Sequence, residues 1–175
     1  RRELLAHLGQ RAGVAVVVTH DPVEAALATT VAVMGDGTVV QSGSLADIAA
    51  RPRSPFAADL AGVNLLAGRA RGTSVTLAGG AVLTSAAPAA GDVWVVVHPR
   101  AVALHRRQPE GTPRNVWPST VAGIDRAGDR VRARLAAPVP LVAEITPAAT
   151  TELGLTEGAP VWVSVKATEL TVLPA

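Results

Sequence analysis

The spacing of apolar positions changes character along the chain. Leu4, Leu5 and Leu8 recur at helical spacing and predict a helix over Arg2 to Arg11, ended by Gly13. Val14, Val16, Val17 and Val18 then form an apolar run without polar alternation, which predicts a parallel strand covered on both faces. Thr19 and His20 fall at its carboxyl end, where open α/β sheets gather their ligands. Asp21 is a candidate N-cap and Pro22 a first helical residue, so a helix is expected over Val23 to Thr29. Gly35-Asp36-Gly37, between Val31 to Met34 and Thr38 to Gln41, marks a hairpin. Ser44 and Asp47 have capping-box spacing before a helix over Leu45 to Ala50, which Pro52 closes. Pro55 to Ala61 predicts one more short helix, with Phe56 and Leu60 inward. From Asn64 onward the helical period disappears, and Val, Thr, Gly and Pro predict short strands and turns. The boundary between the two regimes is placed near Gly62.

The second regime repeats itself. Gly91-Asp92-Val93-Trp94-Val95-Val96-Val97-His98 is echoed by Gly158-Ala159-Pro160-Val161-Trp162-Val163-Ser164-Val165-Lys166, and the segments that follow share an apolar pattern. Asn64-Leu65-Leu66 and Asn115-Val116-Trp117 open the two copies, about 64–107 and 112–175. In this alignment His98 takes the place of Lys166. Each copy is too small to bury a core of its own, so two half-units sharing one antiparallel barrel are expected.

Composition narrows the function classes. At 175 residues, the chain has room for one domain or two small ones. No apolar run approaches the ~20 residues that span a bilayer, and no signal peptide is visible. The absence of cysteine excludes a disulfide framework. Of sixteen basic residues fifteen are Arg, scattered along the chain, and the formal charge is only +2. With one Phe, three Trp and no Tyr, the chain lacks the basic stripe and interleaved aromatics of a nucleic-acid binder. His98 and His105 have no third ligand at metal-binding spacing, so no metal site is expected. Asp21 and Glu24 read as helix-start acids, His7 falls on a polar helix face, and Ser42 and Ser44 lack a base.

The motifs THDPVEA, GDGTVVQSG and SLADIAARPRSPFAADLAGVNLL, in that order, resemble the switch-histidine region of ABC-transporter ATPases. The resemblance implies that residues 1–62 are the carboxyl-terminal part of a RecA-like ATPase domain, an α/β fold. It also implies that His20 contacts the γ-phosphate of ATP as the catalytic switch residue. No G-x-x-x-x-G-K-[ST] phosphate loop occurs, so this stretch alone is expected neither to hold nor to cleave ATP. The chain opens Arg-Arg-Glu-Leu-Leu without an initiator Met and is expected to be the carboxyl-terminal portion of a longer protein.

Thr112-Pro113-Arg114-Asn115, followed by VSVKATEL, resembles the Mop or TOBE domain. This all-β, OB-like antiparallel barrel binds molybdate or related oxyanions, and is expected over residues 63–175. The resemblance puts the oxyanion ligands at Thr112, Arg114, Asn115, Lys166 and Ala167. Pro113 departs from the pattern by removing an N–H, and Ala167 offers only its main chain. Together the two resemblances imply the ATP-binding subunit of a molybdate-type importer. Its implied partners are ATP and Mg, a second copy of the subunit, membrane permease subunits and a small oxyanion, at the cytoplasmic face of the membrane. They also imply a regulatory role, in which oxyanion held between paired barrels keeps the ATPase dimer at rest. An importer ATPase for sulfate, iron or polyamines, or a stand-alone oxyanion-binding protein, remains the alternative.

Overall fold

Hairpins account for most of the chain in the computed structural model, which describes residues 13–175. The expected helix over Arg2 to Arg11, with His7 on it, lies outside the described residues. At the hairpin of β1 (Val31–Gly35) and β2 (Thr38–Gly43), Asp36 and Gly37 have φ of 49° and 77°. Two successive left-handed residues match the twist of the strands they join. Ser44 and Asp47 form the expected capping box at the start of α2 (Leu45–Ala50). Ser54 caps α3 (Pro55–Ala61), and Gly62 ends it at φ 70°.

Three expectations for the first third fail, each for a packing reason. Residues 14–18 form no strand, and Val14, Val16 and Val18 are 95%, 85% and 97% exposed. A buried strand is made by its neighbours, and among the described residues none pairs with it. The helix after His20 is the single turn α1 (Pro22–Ala25). Leu27 beyond it is exposed, and one turn without a packed face does not propagate. Leu60 is buried as expected, but Phe56 is exposed, because Ala57, Ala58 and Leu60 form the buried face of α3. Ala25, Val31, Val33, Ile48, Ala57 and Leu60 make one small apolar cluster. The described residues contain no parallel sheet.

The remaining strands are β3 (Asn64–Leu77), β4 (Val82–Val97), β5 (Ala103–His105), β6 (Asn115–Ala127), β7 (Arg130–Leu135), β8 (Val142–Ile145), β9 (Pro160–Val165) and β10 (Leu170–Pro174). Helix α4 (Pro147–Leu153) sits between β8 and β9. They form a three-stranded sheet, β10-β4-β3, and a five-stranded sheet, β5-β9-β6-β7-β8, all antiparallel. The long β3 curls back on itself. A Cβ on Gly68 would stand 2.9 Å from the Thr76 carbonyl oxygen, a clearance only glycine allows.

The repeat is present in the register, with an exchange. The last strand of the first half, β5, pairs with β9 of the second, Ala103 facing Ser164. The last strand of the second half, β10, pairs with β4 of the first, Thr171 facing Val96. Each crossing follows a single 3₁₀ turn, Pro99–Ala101 or Ala167–Glu169. Alternating residues of both sheets, including Val75, Val95, Val97, Val131, Val163 and Val165, then pack into one shared core. A half-unit left alone would expose its face of that core.

Candidate functional site

The exchange gives the barrel two equivalent ends, each made where a first strand meets the strand before a 3₁₀ turn. At one end Asn115 faces Val165 across the β6–β9 ladder. Arg114 and Lys166 are the next residues beyond that end pair, one on each side of it. The two residues are fifty-two positions apart in sequence and adjoin one strand end. Thr112, Arg114 and Lys166 are exposed, and Ala167 is half-buried at the start of its turn. Among the described residues neither Arg114 nor Lys166 has a carboxylate partner. Two exposed cations flanking one ladder end, a planar fork and a compact ammonium, are suited to attract an anion.

Asn115 behaves differently from its expected ligand role. It is 4% exposed, and its side-chain amide is committed to backbone. Nδ2 donates to Thr84 O (3.0 Å) and Val165 O (3.2 Å), while Oδ1 accepts from Thr84 N (2.6 Å). An amide has two N–H donors, and both are spent. Thr84 lies on β4 of the other half, a contact that sequence motifs alone did not point to.

At the second end Asn64 faces Val97 on the β3–β4 ladder, which sets Val63 opposite His98. Asn64 repeats the amide pattern: Nδ2 donates to Val97 O (3.1 Å) and Val142 O (2.9 Å), and Oδ1 accepts from Val142 N (2.7 Å). The sequence signal for both was their place at the opening of each copy. The cation pair is missing here. His98 is half-buried, and its Nδ1 accepts from Arg100 N at 3.2 Å, capping the turn. Burial, and then the charge of Arg100, pull its pKa below the ordinary histidine value; Glu144 opposes this and Arg132 adds to it. Arg132 also donates to Gly62 O at 3.3 Å, joining β7 to the end of α3.

His20 stands apart from both ends. It is exposed, just before α1, in a turn whose neighbours are fixed. Asp21 Oδ1 accepts from Val23 N (2.8 Å), Thr19 Oγ1 accepts from Asp21 N (3.0 Å), and Thr19 donates to the Glu24 carboxylate. No group of three or more potential metal ligands occurs among the described residues. His105 instead bonds Ser164 Oγ at 2.9 Å across β5 and β9. A cleft between β2, Arg51 to Arg53, Trp94 and Leu173 contains none of the expected ligands.

Comparison with known proteins adds three findings. The TOBE domain family matches residues 111–172. The chain is 38% identical over 186 aligned residues to the molybdenum import ATP-binding protein ModC of Mycobacterium tuberculosis, covering 99% of this chain and 50% of that protein. It is 32% identical to the molybdate/tungstate import ATP-binding protein WtpC of Pyrococcus abyssi (89% and 46% covered). It is 37% identical to the sulfate/thiosulfate import ATP-binding protein CysA of Xanthomonas campestris (76% and 38% covered). The chain thus spans about half the length of the curated relatives it matches. Among solved structures, the cytoplasmic molybdate-binding protein ModG with molybdate bound superposes with a TM-score of 0.54 at 24% identity, over 64% of this chain and 96% of that one. At that identity the likeness is one of fold.

Proposed function

The chain carries a TOBE domain over residues 111–172 and is homologous to molybdate-class import ATP-binding proteins, and we propose that it is part of the ATP-binding subunit of an importer for a molybdate-type oxyanion. Residues 63–175 act as the oxyanion-sensing barrel, and residues 1–62 close the ATPase domain, RecA-like once the rest of that domain is in place. The observation that supports this reading is that Arg114 and Lys166 adjoin the last pair of the β6–β9 ladder, Asn115 and Val165.

A tetrahedral dianion needs several donors converging from one side. Arg114 offers a fork, Lys166 a point charge, Thr112 a hydroxyl and Ala167 a main-chain N–H. Charge-assisted hydrogen bonds contribute ~1.5–3 kcal/mol each, and ordering and desolvation offset part of that. In one copy the two cations stand at the surface, so full enclosure takes a second barrel. This fits a homodimer in which oxyanion bridges two subunits and biases the resting arrangement. Such a ligand must bind the resting state more tightly than the active one.

His20 is the residue we assign to the γ-phosphate. The sequence includes no phosphate loop, and the described residues hold no group of three or more potential metal ligands, so hydrolysis belongs to the intact subunit. ATP, Mg and the membrane permease subunits belong to the intact subunit, which would sit peripherally at the cytoplasmic face. The described residues contain no helix long and apolar enough to cross a membrane.

Calorimetry with molybdate, tungstate and sulfate tests the reading on this chain. Saturable binding of molybdate or tungstate is expected. Preference for sulfate would move the assignment to the sulfate/thiosulfate relatives, and binding of none would overturn it.

A further inference from the structure

The two ends of the barrel share a device that the oxyanion reading leaves unused. Each buried asparagine takes hold of three backbone groups: the carbonyl before the 3₁₀ turn on the facing strand, and both polar groups of one residue in the other half. For Asn115 the carbonyl is that of Val165, which lies in the same planar peptide unit as the N–H of Lys166. Fixing that plane fixes the direction in which Lys166 leaves β9. Asn115 is also covalently next to Arg114. One amide therefore sets the separation of the two cations and ties both to Thr84 of β4.

We propose that Asn115 is a positioning residue for the oxyanion site, not a ligand in it. The assignment rests on the oxyanion reading of the Arg114–Lys166 end. Asn64 is the internal control that the repeat provides. It makes the same three bonds, to Val97 and Val142, beneath an end that carries Val63 and His98 in place of the cations. Removing either amide leaves three backbone groups without their side-chain partner, one of them in a buried bond and two in part-buried ones. Only the removal of Asn115 also releases the cation pair.

The test compares Asn115→Leu with Asn64→Leu in the full chain, measuring denaturant stability and molybdate affinity together. Both variants should lose stability to a similar degree. Asn115→Leu should weaken molybdate binding by about tenfold or more, the usual loss when a partner that orients a ligand group is removed, and Asn64→Leu by less than about twofold. Equal loss of affinity in both, or none in Asn115→Leu, overturns the proposal.

A second measurement needs no variant and stands if either one fails to fold. On adding molybdate to the wild-type chain, the Nδ2 protons of Asn115 should stay slowly exchanging and shift little in NMR spectra, while the backbone amides of Lys166 and Ala167 shift strongly. A large shift of the Asn115 side-chain amide would make it a ligand. If the wild-type chain binds none of molybdate, tungstate or sulfate, the oxyanion reading fails and the positioning role falls with it. Binding without the Asn115 effect removes the positioning role alone.

Discussion

The two ends of the barrel have the same frame and different tips. Both are made of a buried asparagine, a facing strand, a 3₁₀ turn and an exchanged strand. At one, Arg114 and Lys166 are exposed; at the other, Val63 is buried and His98 is half-buried against Arg100. The frame is therefore what folding requires, since both halves keep it. The tips differ, and the proposed oxyanion site is assigned to the end that Arg114 and Lys166 flank.

The comparison is broken most severely at the charged tip. Arg114→Ala with Lys166→Ala removes both charges, and molybdate binding should fall below detection by calorimetry. Either single change should cost about 1.5–3 kcal/mol, roughly a 10- to 150-fold weaker dissociation constant. Neither change should move denaturant stability by more than ~0.5 kcal/mol, because both side chains are exposed. Loss of stability in step with affinity would make them structural.

The shared core should answer next. Val95 and Val163 lie in different halves, and each is 0% exposed. Val95→Ala and Val163→Ala should each cost ~2 kcal/mol. Each should shift a single unfolding transition of the barrel, because the exchanged strands leave neither half a core of its own. Two separate transitions would show that the halves fold independently.

The smallest effect belongs to the neutral tip. His98 is held neutral by burial and by Arg100, with Arg132 adding to this and Glu144 opposing it. Its folded pKa lies below its unfolded one, near 6.5, so the unfolded chain takes up a proton first as pH falls. The stability contributed by neutral His98 is complete above pH 6.5, declines as pH falls below it, and levels off below the folded pKa. His98→Gln should remove that slope in a urea titration series. An unchanged slope would assign it to other groups.

How much of this could be read from the sequence depended on the range of the interactions involved. Elements set by a few neighbouring residues were legible: the Asp36-Gly37 hairpin, the Ser44–Asp47 capping box, and the helix opened by Pro55 and ended by Gly62. The repeat was proposed because a glycine followed within three residues by Val-Trp (Gly91 and Val93-Trp94, Gly158 and Val161-Trp162) occurs in both halves. What failed was set by distant partners. The valine run at 14–18 has the composition of a buried strand, but strand formation needs neighbours that composition does not supply. Phe56 follows the same rule, since its burial depends on which face of α3 the rest of the chain covers. The grouping of Arg114 with Lys166 came from motif resemblance; the ladder ends at Asn115 and Val165, the residues next to them. The exchange of β5 and β10, and the asparagine clamps, depend on contacts spanning 31 to 78 positions and left no local pattern.

The central claim is that one dianion sits at the strand end shared by Arg114 and Lys166. Crystals grown with tungstate test it directly, because the metal's anomalous signal marks the ion without reference to any fitted side chain. The account predicts a single strong peak per barrel within hydrogen-bonding reach of Arg114 and Lys166, with none at the Val63–His98 end. A peak at the Val63–His98 end, or at neither end in a crystal that has taken up tungstate, would contradict it.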